Sequence, residues 1–534
     1  MDVQQGYAEI TEAPRIPKGA WVSLMPSLSD LAFLTPPLVL FWCTTGVGWL
    51  LTDSDTGWHI RTGEWILKNG RVPVTDIFSF TKAGQPWFAW EWLSDVLMAE
   101  VHEHFGLAGI VLVSLVLLGA TSAFVYRSTR GESGHRVSAI VLAALAMATS
   151  TIHWLARPHL LTPLFAAVFC CALGQIERER RSVLLWILPL ITAAWVNLHG
   201  GFFVGIVLLA TYAMGTATEE LLDRRRRDAW IRARPYLWTA VASALASLVN
   251  PYGYHLHLHI ARYLAASFYL KHISEFQSID FHSFTAAYFE TLLVMAIAAA
   301  VWHVGKGRWV HVLMLLSWSH LALFSARNIP IFAVVAAPGV GLAIREWLEY
   351  ARFRCPREWA GKVSASLAEL ETGVRIIAEI NERRRWHLVP SLGLLLLTLV
   401  LGHPGRVKFL RSEFDCNRFP VDAATFLAQK EYRPSLRLYS SWQWGGYLIY
   451  RLWPSLSVFD DGRTDFYGPP FVEEGLRAWE ACPDWAEIFA KYSVNAALVP
   501  ADSALATVLH ERADWKLVYS DRVALIFVKI ENQK

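Results

Sequence analysis

Apolar runs long enough to cross a bilayer recur along the sequence, and nothing else in it limits the fold as strongly. In lipid a chain must satisfy its own backbone hydrogen bonds, which for runs of this length means helices. The runs fall at 30–52, 107–126, 137–155, 159–176, 184–198, 201–218, 236–250, 286–303, 309–326, 329–346 and 387–403. A polytopic α-helical membrane protein with about 11 transmembrane helices is therefore expected. Composition agrees, with 54% hydrophobic and 18% charged residues and a mean hydropathy of +0.31. The net charge of +3 gives no reason to expect a nucleic-acid partner. About thirty polar or mixed residues precede the first run and no small-residue cleavage site follows it, so no cleavable signal peptide is expected.

Basic residues set the orientation. Arg127 and Arg130, Arg178, Arg180 and Arg181, Arg224 to Arg227, Lys306 and Arg308, Arg345, Arg352, Arg354 and Arg357, and Arg383 to Arg385 all fall on one side if residues 1–29 are cytoplasmic. Between 30 and 403 lies the transmembrane domain. Its first extracytoplasmic loop, 53–106, carries eight Asp/Glu against four Lys/Arg. Apolar spacing over 357–385 predicts a cytoplasmic amphipathic helix resting on the inner leaflet. Residues 404–534 then form an extracytoplasmic domain. Its β-rich runs "LRLYSS", "LSVFDD", "NAALVP", "WKLVYSD" and "VALIFVKI" are interleaved with helical "VDAATFLAQK", "FVEEGLRAW" and "DWAEIFAKY", a mixed α/β order. Cys416 and Cys482 both lie in this part, where an oxidising compartment can pair them.

The first loop opens with "TDSDTGWHIRTGEWILKNG". Residues 56–69 read as a helix capped by Asp53 or Asp55, with Trp58, Trp65, Ile66 and Leu67 suited to a membrane interface. A carboxylate pair at the mouth of a span can also act chemically. One acid deprotonates an acceptor hydroxyl while its neighbour holds a divalent metal or a sugar hydroxyl. Glu91, in "PWFAWEWL", is a further acid that can equally start a helix.

Cationic and amide groups recur at span ends on the same side: Arg157 and His159 in "ARPHLLT", Asn197 and His199 in "WVNLHGGF", Asn250 in "NPYG", Arg327 in "SARNIPIF". A single arginine there can simply snorkel to the interface. Several such groups at one depth suit the phosphate of a lipid carrier. In the tail, "SSWQWGGYLIYRLWPSLSVFDDGRTDFYG" offers Trp442, Trp444 and Tyr447 as flat faces for sugar rings, or as packing for the domain. Asp460, Asp461, Arg463, Asp465 and Tyr467 form a polar loop after a strand.

An acidic "DSD" opening a large first exported loop, many further spans and an exported tail domain together resemble the GT-C glycosyltransferases. These include protein mannosyltransferases, aminoarabinose transferases and oligosaccharyltransferase catalytic subunits. "SWQWGGYLIY" is distantly similar to the oligosaccharyltransferase "WWDYG" element but lacks its acid, while "WHIRTGEWIL…PVTDIFSFT" and "DDGRTDFYG" resemble a bacterial subset of such proteins. The resemblance implies transfer of a sugar from a polyprenyl-phosphate-linked donor to a lipid, glycan or protein acceptor, on the outer face of a bacterial inner membrane. It makes Asp53 and Asp55 the candidate catalytic residues, and candidate ligands of a divalent cation (Mg or Mn). His59, Arg61, Glu91, Arg157, His159, Asn197, His199 and Arg327 become candidates for the donor's phosphate or sugar. Trp442, Trp444, Tyr447, Asp461, Arg463 and Asp465 become candidates for sugar or acceptor contact. A transporter or flippase of a lipid-linked or anionic solute would use the same cations without the acid pair, and a non-catalytic GT-C-like assembly subunit would carry a decayed site.

Overall fold

The computed structural model describes residues 26–44, 46–179, 182–223, 226–354, 366, 370–375, 389, 392–393, 397, 412–429 and 436–530. The expected span 387–403, and the amphipathic helix 357–385 apart from 366 and 370–375, lie outside these residues or almost so. Helices coincide with the other ten expected runs, but their lengths differ. Among the described residues six are long and apolar enough to cross a membrane: Trp92–Ser133, Arg136–His153, Pro158–Glu179, Gly200–Leu222, Ala286–Gly305 and Ala326–Ala351. The first run, expected over 30–52, is helical only over Leu28–Cys43. Gly46, at φ 99°, breaks the chain into a short 3-10 turn over Val47–Leu51. The loop helix ends where expected: Gly106, with a non-helical φ of 59° and ψ of −158°, separates it from the second span within the stretch Trp92–Ser133.

The tail carries a four-stranded sheet of order β1-β2-β4-β3, from β1 (Leu438–Ser440), β2 (Ala496–Pro500), β3 (Trp515–Ser520) and β4 (Ala524–Lys529). β1 and β2 run parallel, and the other pairs are antiparallel. Strand alternation sorts the core into two layers. Ala496, Leu498, Ala524 and Ile526 pack with the helices Val421–Gln429 and Trp442–Leu452. Ala497, Val499 and Phe527 pack with Pro469–Trp479, Trp485–Lys491 and Ala504–Glu511. This layering overturns the expected disulfide. Cys416 precedes the helices on one face of the sheet and Cys482 joins two helices on the other, and both are free thiols.

The first loop shares the core of this tail. Trp58, Phe78, Trp87 and Ala89 belong to the same hydrophobic cluster as Phe419, Tyr447, Leu448 and Val458. "LSVFDD" forms no continuous strand, yet Val458 makes parallel bridges both to Leu438 of β1 and to Ser79 of the loop. Its amide donates to Phe78 O at 3.1 Å and its carbonyl accepts from Phe80 at 3.0 Å. The helix expected at the interface, observed as Asp55–Asn69, is clamped between protein elements, with Trp58 and Ile66 buried. Two glycines allow this. A Cβ at Gly63 would run into Asp95 O, and one at Gly57 into Gly446 O of the helix Trp442–Leu452.

Candidate active site

A cavity of about 430 Å³ opens where the first loop, the span ends and the tail meet. It is lined by Asp55, His59, Glu91, Arg157, His159, His199, Arg327, Arg463 and Asp465, which lie far apart in sequence. Much of the rest of its wall is apolar, including Leu118, Met147, Val204, Val207, Leu264, Phe324 and Val334. Such a lining accommodates a ligand with an anionic head and a hydrocarbon tail.

The opening "DSD" folds back on itself. The Asp53 carboxylate accepts the amide of Asp55 at 2.8 Å, which starts the helix, and it lies 2.5 Å from Nη1 of Arg157. The same Nη1 is 3.2 Å from Asp55 Oδ2. Ser54 is the N-cap residue, Asp53 holds the first helical amide and the Arg157 guanidinium, and Asp55 lines the cavity. Burial, and then the neighbouring Asp53 charge, push the Asp55 carboxyl up to about 7 against the pull of Arg157. A group poised there can both take and release a proton at neutral pH.

A divalent cation does not fit between the two acids as they stand, because the Arg157 guanidinium occupies the place of a bridging ion. Among the described residues no group of three or more His, Cys, Asp or Glu is arranged to hold a metal.

A second row of groups stands across the cavity. His199 Nδ1 accepts from the Gly201 amide at 3.0 Å, which leaves Nε2–H to donate to Glu91 Oε1 at 3.2 Å. The other Glu91 oxygen is 3.4 Å from His59 Nε2, and His59 Nδ1 is 2.6 Å from Asp95 Oδ1. Burial pushes Glu91 up to about 8, so it is mostly protonated at neutral pH. Burial, reinforced by the Arg157 charge, holds His59 well below its usual range, and the same two causes with Arg327 bring His199 down to about 3. Both imidazoles are neutral. Glu275, which sequence reasoning missed, links the cations. Its carboxylate is 3.9 Å from Arg157 and 3.5 Å from Arg327, whose guanidinium also lies 4.8 Å from the Phe276 ring centre. Against the upward push of burial, His153, Arg327 and Arg157 bring Glu275 down to about 2.

Several expected ligand contacts are structural instead. Arg61 turns away from the cavity to Glu64 and to the backbone carbonyl of Tyr450 in the tail. Asn197 spends its amide on Ala193 O, Val249 O and Trp92 Nε1. Trp444 and Tyr447 are buried core residues, Trp444 donating its indole N–H to Arg418 O at 3.0 Å, and Trp442 is half-buried on the same helix. They are buried because their helix packs on the first loop, with Gly445 against Asp460 O and Gly446 against Ser54 O. Asp461 is not a cavity residue. It grips Arg463 through two oxygens at 2.8 and 2.7 Å. Arg463 also reaches Asp76 of the first loop at 2.8 Å and stacks 4.4 Å from the Trp87 ring, so it pins loop to tail at the cavity edge. Asp465 holds His259 at 3.0 Å, docking the segment that also carries Tyr263. The signals that could have exposed Glu275, Asp95 and Asp76 are weak, since each is a single acid in an ordinary loop or helix start.

No protein-family model and no curated protein matches this sequence. Solved structures do. The oligosaccharyltransferase of Archaeoglobus fulgidus in the apo form aligns with a TM-score of 0.51 and 11% identity, over 90% of this chain and 69% of that one. The archaeal oligosaccharyltransferase AglB from the same organism, in complex with an inhibitory peptide and a dolichol-phosphate, also gives 0.51 and 11%, over 96% and 74%. ArnT from Cupriavidus metallidurans bound to undecaprenyl phosphate gives 0.44 and 16%, over 96% and 99%. The likeness is one of fold: this chain has a GT-C-like fold, shared with the archaeal oligosaccharyltransferase.

Proposed function

We propose that the protein is a membrane glycosyltransferase that moves a sugar from a polyprenyl-phosphate-linked donor to an acceptor on the extracytoplasmic face. The observation that carries this is one cavity in which a carboxylate near neutrality, two guanidinium groups and an extended apolar wall converge. The GT-C-like fold and the dolichol-phosphate bound to AglB support the same ligand class. The base is Asp55 rather than Asp53, because Asp53 is held by Arg157 and the Asp55 amide. The acceptor O–H gives its proton to Asp55 as its oxygen bonds to the sugar C1. The C1–O bond to phosphate breaks with its electron pair going to the phosphate oxygen, and attack from the opposite face inverts C1. Arg157 and Arg327 stabilise the developing charge. The distribution of Lys and Arg supports an N-terminus in the cytoplasm, with the first loop and tail domain outside the inner membrane.

The test is transfer from a polyprenyl-phosphate sugar by purified, detergent-solubilised protein. Asp55→Asn should lower turnover at least about a hundredfold while polyprenyl-phosphate binding changes little. Turnover near that of the parent would refute the assignment.

A further inference from the structure

Resting on that reading, we infer that the donor carries a single phosphate, a polyprenyl monophosphate sugar, and that this site selects against diphosphate-linked donors by charge. Three cations line the cavity, Arg157, Arg327 and Arg463, and among the described residues no lysine does. Arg463 is committed to Asp461 and Asp76 at 2.7 and 2.8 Å. Arg157 is shared by Asp53 and Asp55, and Arg327 faces Glu275 at 3.5 Å. Asp465 adds another carboxylate to the wall. The His199 imidazole contributes hydrogen bonds and no charge, because its Nδ1 accepts from the Gly201 amide, and burial beside Arg157 keeps the His59 imidazole from charging. Three guanidinium groups thus answer to six carboxyl groups, and the cavity holds no surplus of positive charge before any ligand enters.

A sugar joined to a polyprenyl chain through one phosphate brings one negative charge. Breaking the C1–O bond adds a second to that phosphate. In the same step Asp55 takes the acceptor's proton and loses its own charge, so one of the two carboxylates on Arg157 is neutralised as the phosphate needs a partner. The total charge at Arg157 stays constant through the reaction. A diphosphate donor arrives with two negative charges and leaves with three. The additional charge finds every lining guanidinium already shared with carboxylates, with Asp465 in the wall and Glu275 against Arg157 and Arg327, in surroundings of low dielectric where like charges repel strongly.

The experiment is competitive binding to the full-length protein in detergent at fixed ionic strength, comparing undecaprenyl phosphate, undecaprenyl diphosphate and phosphatidylglycerol. The monophosphate should bind at least about tenfold more tightly than either other lipid. Glu275→Gln, which removes an opposing charge with little change of shape, should narrow the gap by improving diphosphate binding. Equal or tighter binding of the diphosphate overturns the inference and leaves the glycosyltransferase reading standing. Phosphatidylglycerol matching the monophosphate overturns it as well, by making this a general lipid-phosphate site. Binding of none of the three sinks both.

Discussion

The position of Asp55 makes a quantitative prediction about pH. Its carboxyl lies near 7 because it is buried beside Asp53, with Arg157 only partly compensating. The form that accepts a proton from the acceptor is the carboxylate. The rate constant kcat/KM should therefore rise through about pH 7 to a plateau, standing near a tenth of the plateau value at pH 6. An acid at the ordinary value of 3.8 would leave the profile flat across that range. Asp53→Asn removes the like charge that raises the group, so the limb should shift to lower pH. Arg157→Gln removes the opposing cation and should shift it higher. Stability responds in the opposite sense. Between 3.8 and about 7 the folded protein keeps a proton on Asp55 that the unfolded chain has lost, so stability from this group is full at low pH and falls as pH rises to 7. The total is on the order of 4 kcal/mol at most. Asp55→Asn should consequently melt higher than the parent at pH 8 and show little difference at pH 4, the reverse of losing a simple helix cap. The assays are transfer rates across pH 5 to 9 and melting curves in matched detergent. A limb that does not move in Asp53→Asn, or a variant Asp55→Asn that melts lower at pH 8, would refute the reasoning.

Three further outcomes are expected. Arg463→Met leaves the buried carboxylates of Asp461 and Asp76 without their cation, and should cost about 3–5 kcal/mol in denaturation measurements, with the first loop becoming protease-sensitive. Gly446→Val drives a side chain into the Ser54 carbonyl and should cost at least about 1–3 kcal/mol, lowering transfer even in molecules that remain folded because Asp55 follows directly. In a cysteine-free background, single cysteines at 75, 270 and 520 should react with an impermeant thiol reagent from outside intact cells while one at 228 should not, and outside labelling of 228 would reverse the orientation.

Local signals are legible in the sequence, and contacts between distant segments are not. Apolar runs and basic flanks placed helices at ten stretches, because hydropathy is a property of the run itself. Strands β1 to β4 are legible for the same reason, each lying within one of the short β-rich runs. The structure brings Asp55, Glu91, Arg157, His199 and Arg327 into one cavity, residues singled out because polar groups at span ends are costly unless used. The helix Trp442–Leu452 escaped notice because its paired glycines weaken helix propensity. Their meaning appears only when Gly446 is seen against Gly57 and Ser54. The same limit made Trp444, Tyr447 and Asp461 look like ligand contacts, since burial by a distant loop leaves no mark on neighbouring residues. A pair of acids likewise reads as symmetrical until Arg157, a hundred positions away, distinguishes them.

The shared core of first loop and tail has a consequence for biogenesis. Trp58, Phe78 and Trp87 leave the ribosome early, yet the residues that cover them begin near Phe414. The hydrogen bond from the Trp453 indole to Ile77 O closes 376 positions of chain, and that from Arg61 to Tyr450 O closes 389. Contacts of such sequence separation form late, after the intervening spans have been inserted. For most of synthesis the first loop is therefore an unfinished surface of exposed aromatics, open to aggregation and proteolysis. A chain stopped before the tail would keep its membrane helices and the Arg157 ion pairs but lack Arg463, Asp465 and the glycines that close over Asp55, so completion of the reactive cavity is the final event of folding.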